Sequence, residues 1–343
     1  MIDPHLISAV VAELGARSYR ARQVYEALTR GLVTDFADMT ALPLALRQEL
    51  AQRLSPLTLQ AAESQIAADQ SARKTLFRAM DGQAVEAVLM TYPSRATVCV
   101  STQVGCAVGC AFCASGRSGL QRGLTAEEMV DQVFHFARLL RDDGRRVTNV
   151  VFMGMGEPFH NYDETLRACR LLNDQSGFSL AARSISVSTA GVVSGIDRFA
   201  GEPLQINLAV SLHAGTDDLR DRLVPLNRSD PLEAVFAACS RYFSRTHRKV
   251  MFEYVVLHGL NDTPLQVEAL VARLGSPRYH LNLIAYNETG GEFVRPSEAD
   301  LDALCARLRA AGVHCTVRRS PGRGIDAACG QLARLRSLGA AAG

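Results

Sequence analysis

The chain has 343 residues, 48% of them hydrophobic and 21% charged, with a formal net charge of +2. That length holds one large domain with an appendage, or two domains, and the composition is that of a soluble globular protein. No apolar run approaches the roughly 20 residues needed to span a bilayer, and the near-neutral total leaves open local charge clusters.

The opening stretch, MIDPHLISAVVAELGARSYR, lacks a basic start followed by an apolar core. No signal peptide and a cytoplasmic location are therefore expected. LISAVVAELG, SYRARQVYEALTRG and LPLALRQELAQRL place apolar residues at three- and four-residue intervals, which predicts a small helical unit over residues 1 to about 55. Residues 74–92 carry two apolar-rich runs around Asp81-Gly82 and read as a hairpin.

From residue 96 short β-rich runs alternate with amphipathic ones. The predicted strands are TVCVST, VTNVVFMG, SISVST, INLAVSLH, KVMFEYVVL, HLNLIAY and HCTVRR. Such alternation implies a parallel sheet with crossover helices, and six or seven units suit an open, partial β/α barrel. In a barrel the active site gathers at the C-terminal ends of the strands. The expected division is an N-terminal helical accessory unit over 1–70, a hairpin and linker over 71–95, the α/β barrel over 96–320, and a C-terminal segment over 321–343.

The segment GCAVGCAFCASG puts Cys106, Cys110 and Cys113 directly after the first barrel strand. In a reducing compartment nine cysteines, an odd number, argue against a disulfide framework. Structural zinc normally takes four ligands, and no fourth Cys or His follows closely. Three thiolates on one short loop suit a cubane iron–sulfur cluster with one iron left open. A zinc loop borrowing a distant ligand, or three packed cysteines, is the alternative reading. CxxxCxxC with an aromatic, Phe112, before the last cysteine resembles the radical S-adenosylmethionine (radical SAM) superfamily.

MGMGEP follows the strand VTNVVF, so Gly156 and Glu157 fall on the same rim. Glycine lets a backbone approach a ligand, and a carboxylate accepts from an amino group. Ser188, the SLH segment of Ser211, Leu212 and His213, and Asn287 also fall at strand ends, where a cofactor's ribose, carboxylate and adenine need partners. Each of these residues alone has a structural reading as a strand-end cap.

DAACGQLA, with Cys329, joins CVSTQVGC and FMGMGEP in resembling the RlmN/Cfr family of radical SAM adenine methyltransferases. SYRARQVYEAL resembles that family's N-terminal helical domain. The resemblance implies a [4Fe-4S] cluster on Cys106, Cys110 and Cys113. It implies two S-adenosylmethionine molecules per turnover, held by Gly156, Glu157, Ser188, Ser211, Leu212, His213 and Asn287. It further implies Cys329 as an S-methylated carrier, Cys99 as the cysteine that resolves the adduct through a transient disulfide with Cys329, and Glu86 as proton acceptor. The implied substrate is an adenine of 23S ribosomal RNA, with tRNA as a further substrate of some members. An external electron donor is implied, and a monomer is expected.

Carbon 2 is the expected target and carbon 8 the runner-up. HLNLIAYN and RKV lean towards carbon 8, while FEYVVL leans towards carbon 2. The segment after Asn287 is short and lacks the proline that often follows that asparagine. Basic residues at 17, 20, 22, 30, 73, 74 and 78, and at 318, 319 and 323, are candidate phosphate contacts. Cys169, Cys239, Cys305 and Cys315 are read as packing residues. A non-catalytic iron–sulfur or zinc protein that binds RNA stays open as a reading of another class.

Overall fold

The computed structural model describes residues 2–117, 119–289, 292–319, 322, 325 and 330–332. Cys329 and Arg323 lie outside the described residues. Among those described, ten strands form one sheet and two form a separate ribbon. In chain order they are β1 (Leu59–Ile66), β2 (Ala72–Ala79), β3 (Ala84–Thr91), β4 (Ala96–Cys99), β5 (Gln103–Gly105), β6 (Leu120–Gly123), β7 (Asn149–Phe152), β8 (Ile185–Thr189), β9 (Asn207–Ser211), β10 (Val250–Val256), β11 (Tyr279–Ala285) and β12 (Cys315–Arg318).

The large sheet runs β1-β2-β3-β4-β7-β8-β9-β10-β11-β12. From β4 to β12 every pairing is parallel, and all seven predicted barrel strands are present. Helices such as Ala126–Asp142 and Leu232–Thr246 cross over between them. The first carries a capping box, Thr125 with Glu128, and buries Met129, Val130, Val133 and Phe134. Parallel strands covered by helices are largely apolar, as Val250–Val256 illustrates, with six of seven residues buried and Glu253 the one charged residue among them.

The predicted hairpin is β2–β3, antiparallel, and β3 in turn pairs antiparallel with β4. The accessory hairpin is thus sewn to the barrel as part of one sheet. β1 was not among the predicted strands. It is a polar edge strand, mostly exposed, bulged between Ala61 and Glu63, and anchored where buried Asp131 accepts from the amides of Thr58 and Leu59 at 2.6 and 3.0 Å.

The three expected N-terminal helices span Pro4–Glu13, Tyr19–Thr29 and Leu44–Arg53. Their apolar faces join the same core as the sheet. Tyr25 donates to Asp174 at 2.8 Å, and Arg30 donates to the carbonyls of Gly177 and Gln175. Arg30 is therefore a tether to the barrel and not a free phosphate contact.

Candidate active site

β4 ends at Cys99, and the ribbon β5–β6 then flanks the cysteine loop. The ribbon closes because residue 105 is glycine. Its φ is +75°, and a Cβ there would lie 1.8 Å from the Gly119 carbonyl oxygen. The loop so pinned turns Cys106, Cys110 and Cys113 into one cavity, which Cys99 also lines. Phe112, the aromatic of the motif, packs edge-on against His213 with ring centroids 4.7 Å apart.

Burial pushes the Cys106 thiol up to about 11 and the Cys110 thiol well above its ordinary value, and neighbouring thiols reinforce both shifts. A single zinc ion would need its ligands converging to about 2.3 Å of one point. No three His, Cys, Asp or Glu side chains are so arranged among the described residues. A four-iron cluster places its thiolates on separate irons, and three cysteines lining one cavity fit that demand.

Glu157 faces the thiols across the cavity. Its carboxylate accepts from the amides of Ala190 at 2.7 Å and Phe159 at 2.9 Å, while its own amide donates to Gln103 Oε1 at 2.8 Å. Burial still pushes its pKa up to about 7. A cationic amino group brought beside it would restore the charged form.

Gly156 lines the cavity, but its conformational demand is internal. With φ +101°, its Cβ would lie 2.6 Å from the Cβ of Gln103. The glycine thus lets the loop after β7 close onto the segment after β4, and that closure puts Glu157 opposite the cysteines.

Ser188, Ser211 and His213 line the same cavity. His213 accepts from the amide of Val255 through Nδ1 at 3.0 Å, and burial pushes its pKa down to about 3, with Arg220 adding to the shift. It is a neutral ring fixed by β10. Leu212 does not line the cavity. Its fully buried backbone ties β9 to β10 by donating to the Glu253 carbonyl at 2.9 Å. Asn287 is also outside the lining and accepts from Arg295 at 3.0 Å.

Glu86 sits on β3 two residues before Val88, which pairs with Cys99, so strand alternation puts Glu86, Val88 and Cys99 on one face. The site is not solvent-facing, since Glu86 is 5% exposed. Lys74 of β2 meets it at 3.2 Å, with both side chains buried. This corrects the expectation of Lys74 as a phosphate contact. The pairing of β2 with β3 brings an ammonium to the buried carboxylate.

Arg318, another expected phosphate contact, also turns inward. It lines the cavity, pairs with Glu253 at 3.5 Å and pulls down the thiol of Cys99, which burial pushes up to about 11. Sequence reasoning missed Glu253, although a carboxylate inside the apolar run MFEYVVL was a signal. It also missed Arg220, which is fully buried and donates to the carbonyls of Ala190, Ser211 and Leu212. One guanidinium thereby ties together the ends of β8 and β9.

Cys329 lies outside the described residues, and residues 330–332 just after it lie within them. Gly330 and Leu332 line the cavity, and the Leu332 carbonyl accepts from Ser115 at 2.8 Å. Cys169 and Cys239 pack in helices as expected. Cys305 and Cys315 are buried as well, with their sulfurs 3.2 Å apart.

The chain resembles known proteins along nearly its whole length. Residues 100–270 match the radical SAM superfamily, and residues 2–55 match the ribosomal RNA large subunit methyltransferase N-terminal domain. A Chloroflexus aurantiacus protein named "Probable dual-specificity RNA methyltransferase RlmN" is 46% identical, covering 97% of this chain and 91% of its own. A Nitrosopumilus maritimus protein named "Ribosomal RNA large subunit methyltransferase N" is 42% identical, covering 96% of each chain. The crystal structure of a radical SAM methyltransferase from Sphaerobacter thermophilus superposes with a TM-score of 0.94 at 50% identity, covering 96% of this chain and 97% of that one. No helix among the described residues is long and apolar enough to cross a membrane. The chain belongs to the RlmN family of radical SAM RNA methyltransferases, enzymes that use S-adenosylmethionine and a [4Fe-4S] cluster.

Proposed function

We propose that this enzyme methylates carbon 2 of an adenine in 23S ribosomal RNA, and of an adenine in tRNA, through a methyl group carried on Cys329. The observation that carries the reading is the position of Gly330. The residue after Cys329 lines the cavity that holds Cys99 and the three loop thiols. One relative's name specifies large-subunit ribosomal RNA, which supports that substrate, and another's specifies dual RNA specificity, which supports a second RNA substrate.

Carbon 2 of adenine has no acidic proton, so polar methyl transfer does not reach it. Cys329 first takes a methyl group from one S-adenosylmethionine and releases S-adenosylhomocysteine. When bound, the cluster and a second S-adenosylmethionine supply a 5′-deoxyadenosyl radical, using one electron from an external donor. Cys106, Cys110 and Cys113 hold the cluster, while Glu157 holds the amino group of S-adenosylmethionine. Ser188, Ser211 and the neutral ring of His213 shape the remainder of that pocket.

Loss of a hydrogen from the S-methyl group leaves a sulfur-bound methylene that bonds to carbon 2. Glu86 accepts the ring proton as the adduct gives up one electron, which returns to the bound cluster in place of the one the external donor supplied, and Lys74, 3.2 Å from Glu86, holds that carboxylate in position. Cys99 thiolate then attacks the sulfur of Cys329. The sulfur–sulfur bond forms, the carbon–sulfur bond breaks, and the methylene carbon takes up a proton to become the product methyl. Arg318 favours the attacking thiolate. A thiol reductant must afterwards reopen the disulfide. The cytoplasm supplies such reductants, and the enzyme acts there as a monomer.

Nucleoside analysis of 23S and transfer RNA from cells with and without the protein tests this reading. Loss of 2-methyladenine on deletion is expected, whereas loss of 8-methyladenine alone would overturn the assignment. Cys99→Ala purified from cells should carry ribonuclease-sensitive covalent RNA. A Cys99→Ala protein free of RNA and still forming product would sink the resolving role.

A further inference from the structure

A second cavity, of about 800 Å³, opens at the other end of the barrel, around the starts of β8, β9, β10 and β11. None of the candidate site residues lines it. Its floor is apolar, with Phe199, Ile206 and Tyr242. Its wall carries Arg183, Arg245, Arg248 and Lys249.

Three of these cations come from the run Arg245-Thr246-His247-Arg248-Lys249, which leaves helix Leu232–Thr246 and enters β10. His247 turns that run with a φ of +56°. Basic residues at a helix C-terminus commonly offset its dipole, and that accounts for Arg245. It does not account for Arg183, which approaches from the turn before β8.

Among the described residues no carboxylate pairs with Arg183, Arg245, Arg248 or Lys249. Arg183 donates to Gln205 Oε1 at 2.8 Å, and Arg248 donates to Asn207 Oδ1 at 2.6 Å. Neutral amides aim the guanidiniums without neutralising them. The cavity has one carboxylate, Glu202, and that is taken by Arg170 at 2.8 Å and by the Tyr162 hydroxyl at 3.1 Å. Burial lowers the pKa of Arg248, and facing Arg183 lowers it further. Like charges gathered around a concavity raise the local concentration of anions, and planar guanidiniums match phosphate oxygens in geometry.

We propose that this cavity is a phosphate site that takes the phosphate groups of nucleotides, carried either by the backbone of the substrate RNA or by a free nucleotide. The volume exceeds what one inorganic anion fills, and the apolar floor suits a base or sugar behind the phosphates. The site is separate from the cavity of the cysteine loop, since it lies at the opposite strand ends, and its RNA source alone rests on the proposed function.

The test uses full-length, reconstituted enzyme and the double variant Arg183→Gln/Arg248→Gln. S-adenosylmethionine cleavage to 5′-deoxyadenosine without RNA is the control, and it should stay unchanged even if the methylation reading fails. In one arm, affinity for a 23S fragment is measured against salt. Loss of two phosphate contacts should flatten the log–log slope by about 1.4 to 1.8. In the other arm, inorganic pyrophosphate and uridine monophosphate are titrated calorimetrically. A flattened slope with no small-anion binding identifies the RNA backbone. Nucleotide binding that the double variant loses, with the slope unchanged, identifies a free nucleotide. The charge-preserving Arg183→Lys/Arg248→Lys variant should recover most of whichever signal is lost. An unchanged slope together with no binding of either small anion overturns the proposal, as does loss of signal that the lysine variant does not restore.

Discussion

The carbonyl of Gly330 accepts a hydrogen bond of 2.8 Å from the amide of Ala114, so the residue after Cys329 is fastened to the residue after Cys113. The segment proposed to carry the methyl group and the loop proposed to bind the cluster are therefore fastened to one another. Ser115 adds a second tie, to the Leu332 carbonyl. Ser115→Ala removes that buried bond, worth about 1 kcal/mol. Methylation of Cys329 should fall roughly fivefold with iron content unchanged. Peptide mass spectrometry and iron assay check this, and an unchanged methylation rate would mean the tie does not matter.

Lys74 and Glu86 make a pair whose halves depend on each other. Lys74→Met strands a buried carboxylate and should destabilise the fold by about 3–5 kcal/mol. The double variant Lys74→Met/Glu86→Gln removes both charges and should regain most of that loss, yet form no product. Denaturant unfolding of the three proteins checks the coupling. Additive losses would show that the pair is not coupled.

Glu157 should make ligand-free protein sensitive to pH. Its pKa is raised by burial to about 7 from an ordinary 4.5. Between those values the folded chain holds a proton that the unfolded chain has released, so stability falls as pH rises. The penalty is absent below about 4.5 and complete above about 7. Glu157→Gln should thus unfold at a higher temperature than the parent at pH 8, and at nearly the same temperature at pH 4.5. S-adenosylmethionine affinity should fall in the same variant. A Tm difference that does not change between the two pH values would contradict the assignment.

Arg318 should set how readily Cys99 ionises. Without the guanidinium the upward push of burial is opposed only by the backbone hydrogen bond at Met153, so Arg318→Met should slow resolution and raise the pH at which it proceeds. The expected readout is about tenfold more covalent RNA at neutral pH, the effect of roughly 1.4 kcal/mol on the attacking thiolate. A variant that accumulates no adduct at neutral pH would assign Arg318 a role in substrate binding alone.

The barrel was legible because each of its strands is an apolar run bounded by polar turns, and the cysteine loop because its spacing is dense. β1 escaped because an edge strand with most residues in solvent, LQAAESQI, has no buried face to write into the sequence. Lys74 and Arg318 were read as surface charge because sequence shows a cation but not what faces it. In the fold both point to carboxylates, Glu86 and Glu253. Arg220 lies in DDLRDRL, which looks like a solvated helix, and only the turn of that helix against Ala190 and Ser211 makes it a core residue.

The antiparallel seam between β3 and β4 constrains any attempt to trim the enzyme. A fragment starting at residue 96 would have the length of an independent barrel, yet β4 would become its bare edge, missing the ladder from Val88 to Thr91. Unpaired amides and carbonyls next to an apolar face recruit other chains, so such a fragment should aggregate while the full chain does not. It would also lack Glu86. The proposed proton acceptor and the protection of the sheet edge arrive on the same hairpin, so neither can be deleted while keeping the other.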